Sequence, residues 1–71
     1  MKAHIVITHI QSGKQWTGEQ QELTEDEFLD LKSTIIDNIS YMRYVESAEG
    51  HILPGDFIRN HCVITFNKQI K

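Results

Sequence analysis

The chain holds a single cysteine, Cys62, and a single proline, Pro54. A lone thiol excludes an intramolecular disulfide framework. With one proline, the chain stands outside the disordered and low-complexity classes. Basic residues are scarce as well: seven Lys or Arg against ten Asp or Glu give a formal net charge of -3. Affinity for nucleic acid rests largely on cationic side chains that neutralise phosphates, so nucleic acid is disfavoured as a partner. Uninterrupted apolar runs stop at stretches such as Ile5-Val6-Ile7, whereas a helical bilayer span needs about 20 residues. No membrane partner is expected. No charged segment leading into an apolar run opens the sequence, so export is not expected and the expected location is the cytoplasm. The four glycines, at positions 13, 18, 50 and 55, are isolated, which reads as turns and not as a phosphate-cradling loop.

What is present describes a small folded unit. Apolar residues make up 39% of the chain, enough to leave the disordered class, and residues 1–71 read as one domain. A chain of this size buries only about 60% of its unfolded surface. Its core is marginal, and a partner chain that covers more apolar surface is physically attractive.

The segment from Ala3 to Ile10 is rich in β-branched residues and runs into the turn cluster Gln11-Ser12-Gly13-Lys14, which predicts a strand and a hairpin. Gln15 to Glu19 is the predicted return strand. The strongest local signal is Leu23-Thr24-Glu25-Asp26-Glu27-Phe28. Thr24 can cap a helix, Glu27 can reach back to it, and Leu23 can pack on Phe28, a capping box with a hydrophobic staple. Phe28, Leu31, Ile35 and Ile39 then recur at spacings of three and four, which predicts an amphipathic helix from about Glu25 to Ile39. Tyr41 to Glu46 and His51 to Leu53 read as a second hairpin. Pro54-Gly55 reads as a type II turn, and Asp56 to Asn60 as a loop or a single helical turn. His61 to Lys68 is the predicted last strand. The fold class is therefore α+β, a small and mainly antiparallel β-β-α-β-β-β sheet with one helix packed on one face.

One helix covers one face. Ile5, Ile7, Ile64 and Phe66 are assigned to the covered side by their alternation, which leaves His4, Val6, Thr8, Ile10, His61, Val63 and Thr65 on the other. That face is too apolar to be indifferent to water and too polar to be a core, the character of an association surface. The expected protein-binding residues are His4, Val6, Thr8, His61, Val63 and Thr65, helped by Trp16 and Tyr44. His4 and His61 would also make a pH-responsive pair at a dimer surface.

Chemistry is poorly provided for. His61 and Cys62 are adjacent, so on a strand they point to opposite faces, and no Cys-x-x-Cys or His-x-x-x-His occurs. Neither metal nor cofactor is expected. Cys62 falls on the covered face, where a thiol is inert. The six acids between Glu19 and Asp30 lie on a solvated helix start, a setting that raises no pKa. They are explained by helix initiation before phosphate mimicry is invoked. No enzymatic activity is expected. A second reading uses Trp16, Tyr41 and Tyr44 with Arg43 to stack single-stranded bases.

Three features together carry a resemblance: a first strand-turn-strand ending in Trp16, the capped helix at Leu23 to Phe28, and Ile52-Leu53-Pro54-Gly55-Asp56-Phe57-Ile58-Arg59-Asn60 ahead of a last strand. In these the chain resembles short uncharacterised α+β proteins of phages and mobile elements of Gram-positive bacteria. The resemblance implies an accessory module that binds a host or viral protein or assembles with itself. A homo-oligomer, a dimer first, is the expected state.

Overall fold

The computed structural model describes residues 1–69. The elements, in chain order, are β1 (Lys2–His9), β2 (Gln15–Thr17), β3 (Gln21–Glu22), α1 (Glu25–Asn38), β4 (Tyr44–Glu46), β5 (Ile52–Pro54), α2 (Gly55–His61) and β6 (Cys62–Gln69). The architecture is α+β with antiparallel pairing throughout. Strand β1 is the axis of the main sheet. One edge of it pairs with β2 and then, nearer the start of β1, with β3; the other edge pairs with β6 along its whole length. Strands β4 and β5 form a separate hairpin.

The β1–β6 register places Ile5 opposite Phe66 and Ile7 opposite Ile64, so the first and last strands are neighbours and their apolar positions share one face, as the alternation predicts. Ile7, Leu53, Ile58 and Cys62 are the buried centre, with Ile5, Trp16, Ile39, Val45, Phe57 and Ile64 packed around them. The second hairpin is tied to the sheet by the Ala48 N–H, which donates to the Thr17 carbonyl at 2.9 Å.

Helix α1 starts where the capping box places it. The Thr24 hydroxyl accepts from the Glu27 N–H at 3.2 Å, and the Glu27 carboxylate accepts from the Thr24 N–H at 2.9 Å. The bond from the Thr24 N–H, with the Thr24 hydroxyl as a lesser contributor, holds the Glu27 carboxyl below its ordinary value. Phe28 is the buried residue of α1, and the ammonium groups of Lys32 and Lys68 lie 5.7 and 5.4 Å from its ring.

Several elements depart from the sequence reading: β4 begins at Tyr44 and not at Tyr41, and it pairs with β5 in a two-stranded sheet of its own and not in the single sheet expected. Residues Gly55–His61 form a second helix, α2, in place of a loop or a single turn, with Pro54 as its extended N-cap. Gly55 is not in the positive-φ region that Gly13 and Gly50 occupy, so the type II turn expected at Pro54-Gly55 is not formed. What requires glycine there is space: a Cβ on Gly55 would stand 1.9 Å from the Met42 carbonyl oxygen. The other addition is β3, two polar residues with no alternation to announce them. It exists because Lys2 and Ala3 offer an edge for Glu22 and Gln21 to pair with.

Candidate interaction surface

Both helices and the β4–β5 hairpin contribute their buried residues to the side of the sheet that carries Ile5, Ile7, Ile64 and Phe66. The opposite side carries His4, Val6 and Thr8 from β1 and Val63, Thr65 and Asn67 from β6, with no further layer over it among the described residues. Val6 is nonetheless buried, because it lies on the central strand between Thr17 and Thr65. His4 and Thr8 are half-buried and Thr65 is exposed. Val63 is 50% exposed, so the face offers apolar surface mainly along its β6 margin.

Three of the eight residues expected on this surface lie elsewhere. Trp16 is opposite Ile7 in the β1–β2 register and therefore on the covered face, where its ring meets Phe57 edge-on at 5.8 Å between centroids. Tyr44 belongs to β4, outside the main sheet, and is 60% exposed. His61 closes α2 instead of opening β6. Its ring is 6.4 Å from that of His9, while His4 faces Asn67 at the far end of the strand, so His4 and His61 do not meet. Val6, Thr8, His4, Val63 and Thr65 are together on one face.

The aromatic cluster gathered at the end of the core was not visible in the sequence. The Phe57 ring stacks on His9 at 5.2 Å, with Trp16 and His61 on its other flanks. The His9 Nδ1 accepts from the Ser12 N–H at 3.3 Å and is 2.6 Å from the Ser12 Oγ, which fixes the imidazole against the turn. Phe57 is more than forty residues from His9 and Trp16, which hides their grouping from any periodicity argument; His61 is its neighbour four residues on in α2. Trp16, Tyr41 and Tyr44 do not make a common stacking surface: Trp16 is packed on Phe57 under Lys14, Tyr41 follows α1 in a turn, and Tyr44 is in the hairpin.

The second feature is the outer edge of β6. The Ile10 N–H donates to the His61 carbonyl, so the positions of β6 that bond to β1 are 63, 65, 67 and 69, alternate residues of an antiparallel ladder. Ile64, Phe66 and Lys68 therefore turn their backbone N–H and C=O groups outward. The Cys62 N–H is taken by the Ile58 carbonyl at the end of α2. Among the described residues no strand pairs with this edge. Beside it runs an apolar groove of about 480 Å³ between β6 and the flank of α1, lined by Ile35, Ile36, Ile39, Ile64 and Phe66, with Arg59 at one end.

Arg59 is held there by its donors. Its Nη1 bonds the Ile39 and Met42 carbonyls at 2.9 and 3.0 Å, and Nη2 pairs with Asp56. A cation from α2 thus satisfies carbonyls at the C-terminal end of α1, which has no basic residue in its own last turn. At the other end of the groove Lys68 pairs with Glu25 at 3.2 Å.

Among the described residues no group of three or more His, Cys, Asp or Glu side chains is placed to hold a metal ion. Cys62 is buried, and burial pushes its thiol above the ordinary value. No helix among the described residues is long and apolar enough to cross a membrane. No family model, curated protein or solved structure matches the chain.

Proposed function

We propose that the chain is a small protein-binding module that works by associating with itself and with a second protein, and not by chemistry. The observation that carries this reading is a sheet finished on one side only: every buried cluster lies on the Ile5, Ile7, Ile64 side, while the face of His4, Val6, Thr8, Val63 and Thr65 and the edge of β6 have nothing laid against them among the described residues. Large apolar side chains outside the core, Leu29, Ile36 and Val63 among them, are each at least half exposed. Surface of that kind costs free energy in water and is recovered by a partner. The mild acidity and the dispersal of Trp16, Tyr41 and Tyr44 favour a protein partner over a nucleic acid. The resemblance of the sequence to short phage and mobile-element proteins is in keeping with a role as a cytoplasmic accessory factor.

Sedimentation equilibrium across a wide concentration range tests the reading. A weight-average mass that rises above the monomer with concentration is the expected result. A monomer at every concentration, with no protein captured from a lysate in a form lost on blocking the sheet face, overturns it.

A further inference from the structure

We infer that β6 pairs with β6 of a second copy of this chain in an antiparallel, two-fold arrangement centred on Thr65, which joins the two main sheets into one. The inference rests on the self-association proposed above and specifies its geometry.

The backbone dictates what can lie against this edge. Ile64, Phe66 and Lys68 point their N–H and C=O groups outward, and a strand is what satisfies such a row. With Thr65 opposite Thr65 of the second copy, Ile64 falls opposite Phe66 in both directions. These are positions whose backbone groups face outward, so each pair exchanges two N–H···O bonds, and the Lys68 N–H of each copy reaches the Cys62 carbonyl of the other. A register shifted by a single position would set outward-facing residues against inward-facing ones and lose the ladder. Side chains agree with backbone: Ile64 beside Phe66 closes the apolar groove, and Thr65 beside Thr65 is a favourable cross-strand pair on the open face.

Helix α1 supplies a second match about the same axis. It runs antiparallel to β6, since Glu25 at its start bonds Lys68, the Lys32 ammonium is 6.0 Å from the Phe66 ring, and Ile39 at its end is beside Arg59. The level of Thr65 is thus near Lys32. On the flank of α1 toward β6 lie Glu25, Leu29, Lys32 and Ile36, spaced by four, three and four. Leu29 and Ile36 are 56% and 61% exposed. A two-fold axis at the level of Lys32 and Ser33 sets Leu29 of one copy against Ile36 of the other. It also brings the Glu25–Lys68 ion pair of one copy toward the Arg59–Asp56 pair of the other, with the two Lys32 side chains on either side of the axis.

The dimensions suit two helices in contact. The axis is half a strand spacing from β6, and α1 borders both Ile5 of β1 and Phe66 of β6. The two helices then come to rest about 10 Å apart, a normal packing distance. Eight strand residues are about 27 Å long, and across two layers the contact buries on the order of 1,000 Å² in total, the lower bound for a specific interface. The dimer is therefore concentration-dependent and not obligate.

Disulfide trapping tests the register. In a Cys62→Ala background, Thr65→Cys brings two thiols to Cα positions about 4.5 Å apart across the axis, inside the range a disulfide bridges. Mild oxidation is expected to convert most of that variant to a covalent dimer, and to convert Val63→Cys or Asn67→Cys, each about 14 Å from its own copy, at least tenfold less. Ile36→Asp, on an exposed position that leaves the circular dichroism spectrum unchanged, is expected to weaken association at least tenfold. A protein that self-associates by sedimentation yet traps no better at Thr65 than at Val63 overturns the β6 pairing and leaves self-association standing. A protein that stays monomeric in sedimentation and traps at none of the three overturns both.

Discussion

Gly55 and Met42 touch backbone to backbone: a methyl group placed on Gly55 would stand 1.9 Å from the Met42 carbonyl oxygen, and the Gly55 N–H donates to the neighbouring Arg43 carbonyl at 2.7 Å. This contact lets α2 begin directly after β5, under the turn that follows α1. Gly55→Ala is expected to destabilise the fold by about 3 kcal/mol or more, because the obstacle is main chain that no rotamer change relieves. Gly50→Ala, at φ +87° with open space around it, is expected to cost only about 1 kcal/mol. Urea unfolding of the two variants against the parent gives both values.

The reciprocal bonds between Thr24 and Glu27 make α1 sensitive to acid. The folded Glu27 carboxyl titrates below its ordinary 4.5, so its contribution to stability is present above that value and is lost as the pH falls through the folded one. Thr24→Ala is expected to lower stability at neutral pH by about 1 kcal/mol. Glu27→Gln, which removes the titrating group that the Thr24 N–H holds down, should show a shallower loss of stability below pH 4.5 than the parent. Chemical denaturation followed at neutral and acidic pH checks both.

Cys62 is 9% exposed among Ile7, Leu53 and Ile58, and its thiol is pushed up by burial. Alkylation at neutral pH is expected to be slower than that of an unfolded control by more than about tenfold, since the thiolate is the reacting form. Mass spectrometry of timed iodoacetamide reactions reads this directly. Labelling as fast as in denaturant would place the thiol at the surface.

The two sides of β6 are expected to respond differently to charge. Val63 is on the open face, where the two-fold arrangement sets it beside Asn67 of the second copy, and Val63→Asp is expected to shift the dimer dissociation constant by less than about threefold. Ile36→Asp buries a carboxylate against Leu29 and is expected to dissociate the dimer. Sedimentation of the two variants side by side distinguishes association through the edge from association through the face.

How far these features were legible depends on the range of the interaction. The start of α1 was readable because Thr24 and Glu27 are three residues apart and complete each other locally. The shared face of Ile5, Ile7, Ile64 and Phe66 was readable because the pleat fixes it once β1 and β6 are neighbours. Trp16 was misplaced because its face depends on register: Ile7 opposite Trp16 turns the ring inward, and a slip of one position would have turned it out. His61 was misplaced because α2 extends to it, and α2 itself was hidden by Pro54-Gly55, whose turn-forming habit gives way to the close approach of Met42. The contacts of Phe57 with His9 and Trp16, and of Arg59 with Ile39 and Met42, join residues far apart in sequence, which no local pattern records.

The two margins of the main sheet are unequal. On one side β2 and β3 are three and two residues long, separated at Gly18, with the Thr17 carbonyl already accepting from Ala48. On the other side β6 is continuous over eight residues. Each molecule thus offers a single sticky rim and a blunted one. In the proposed pairing, joining rim to rim uses both at once and leaves only interrupted margins outside, an arrangement that closes at the pair and does not run on into a fibre.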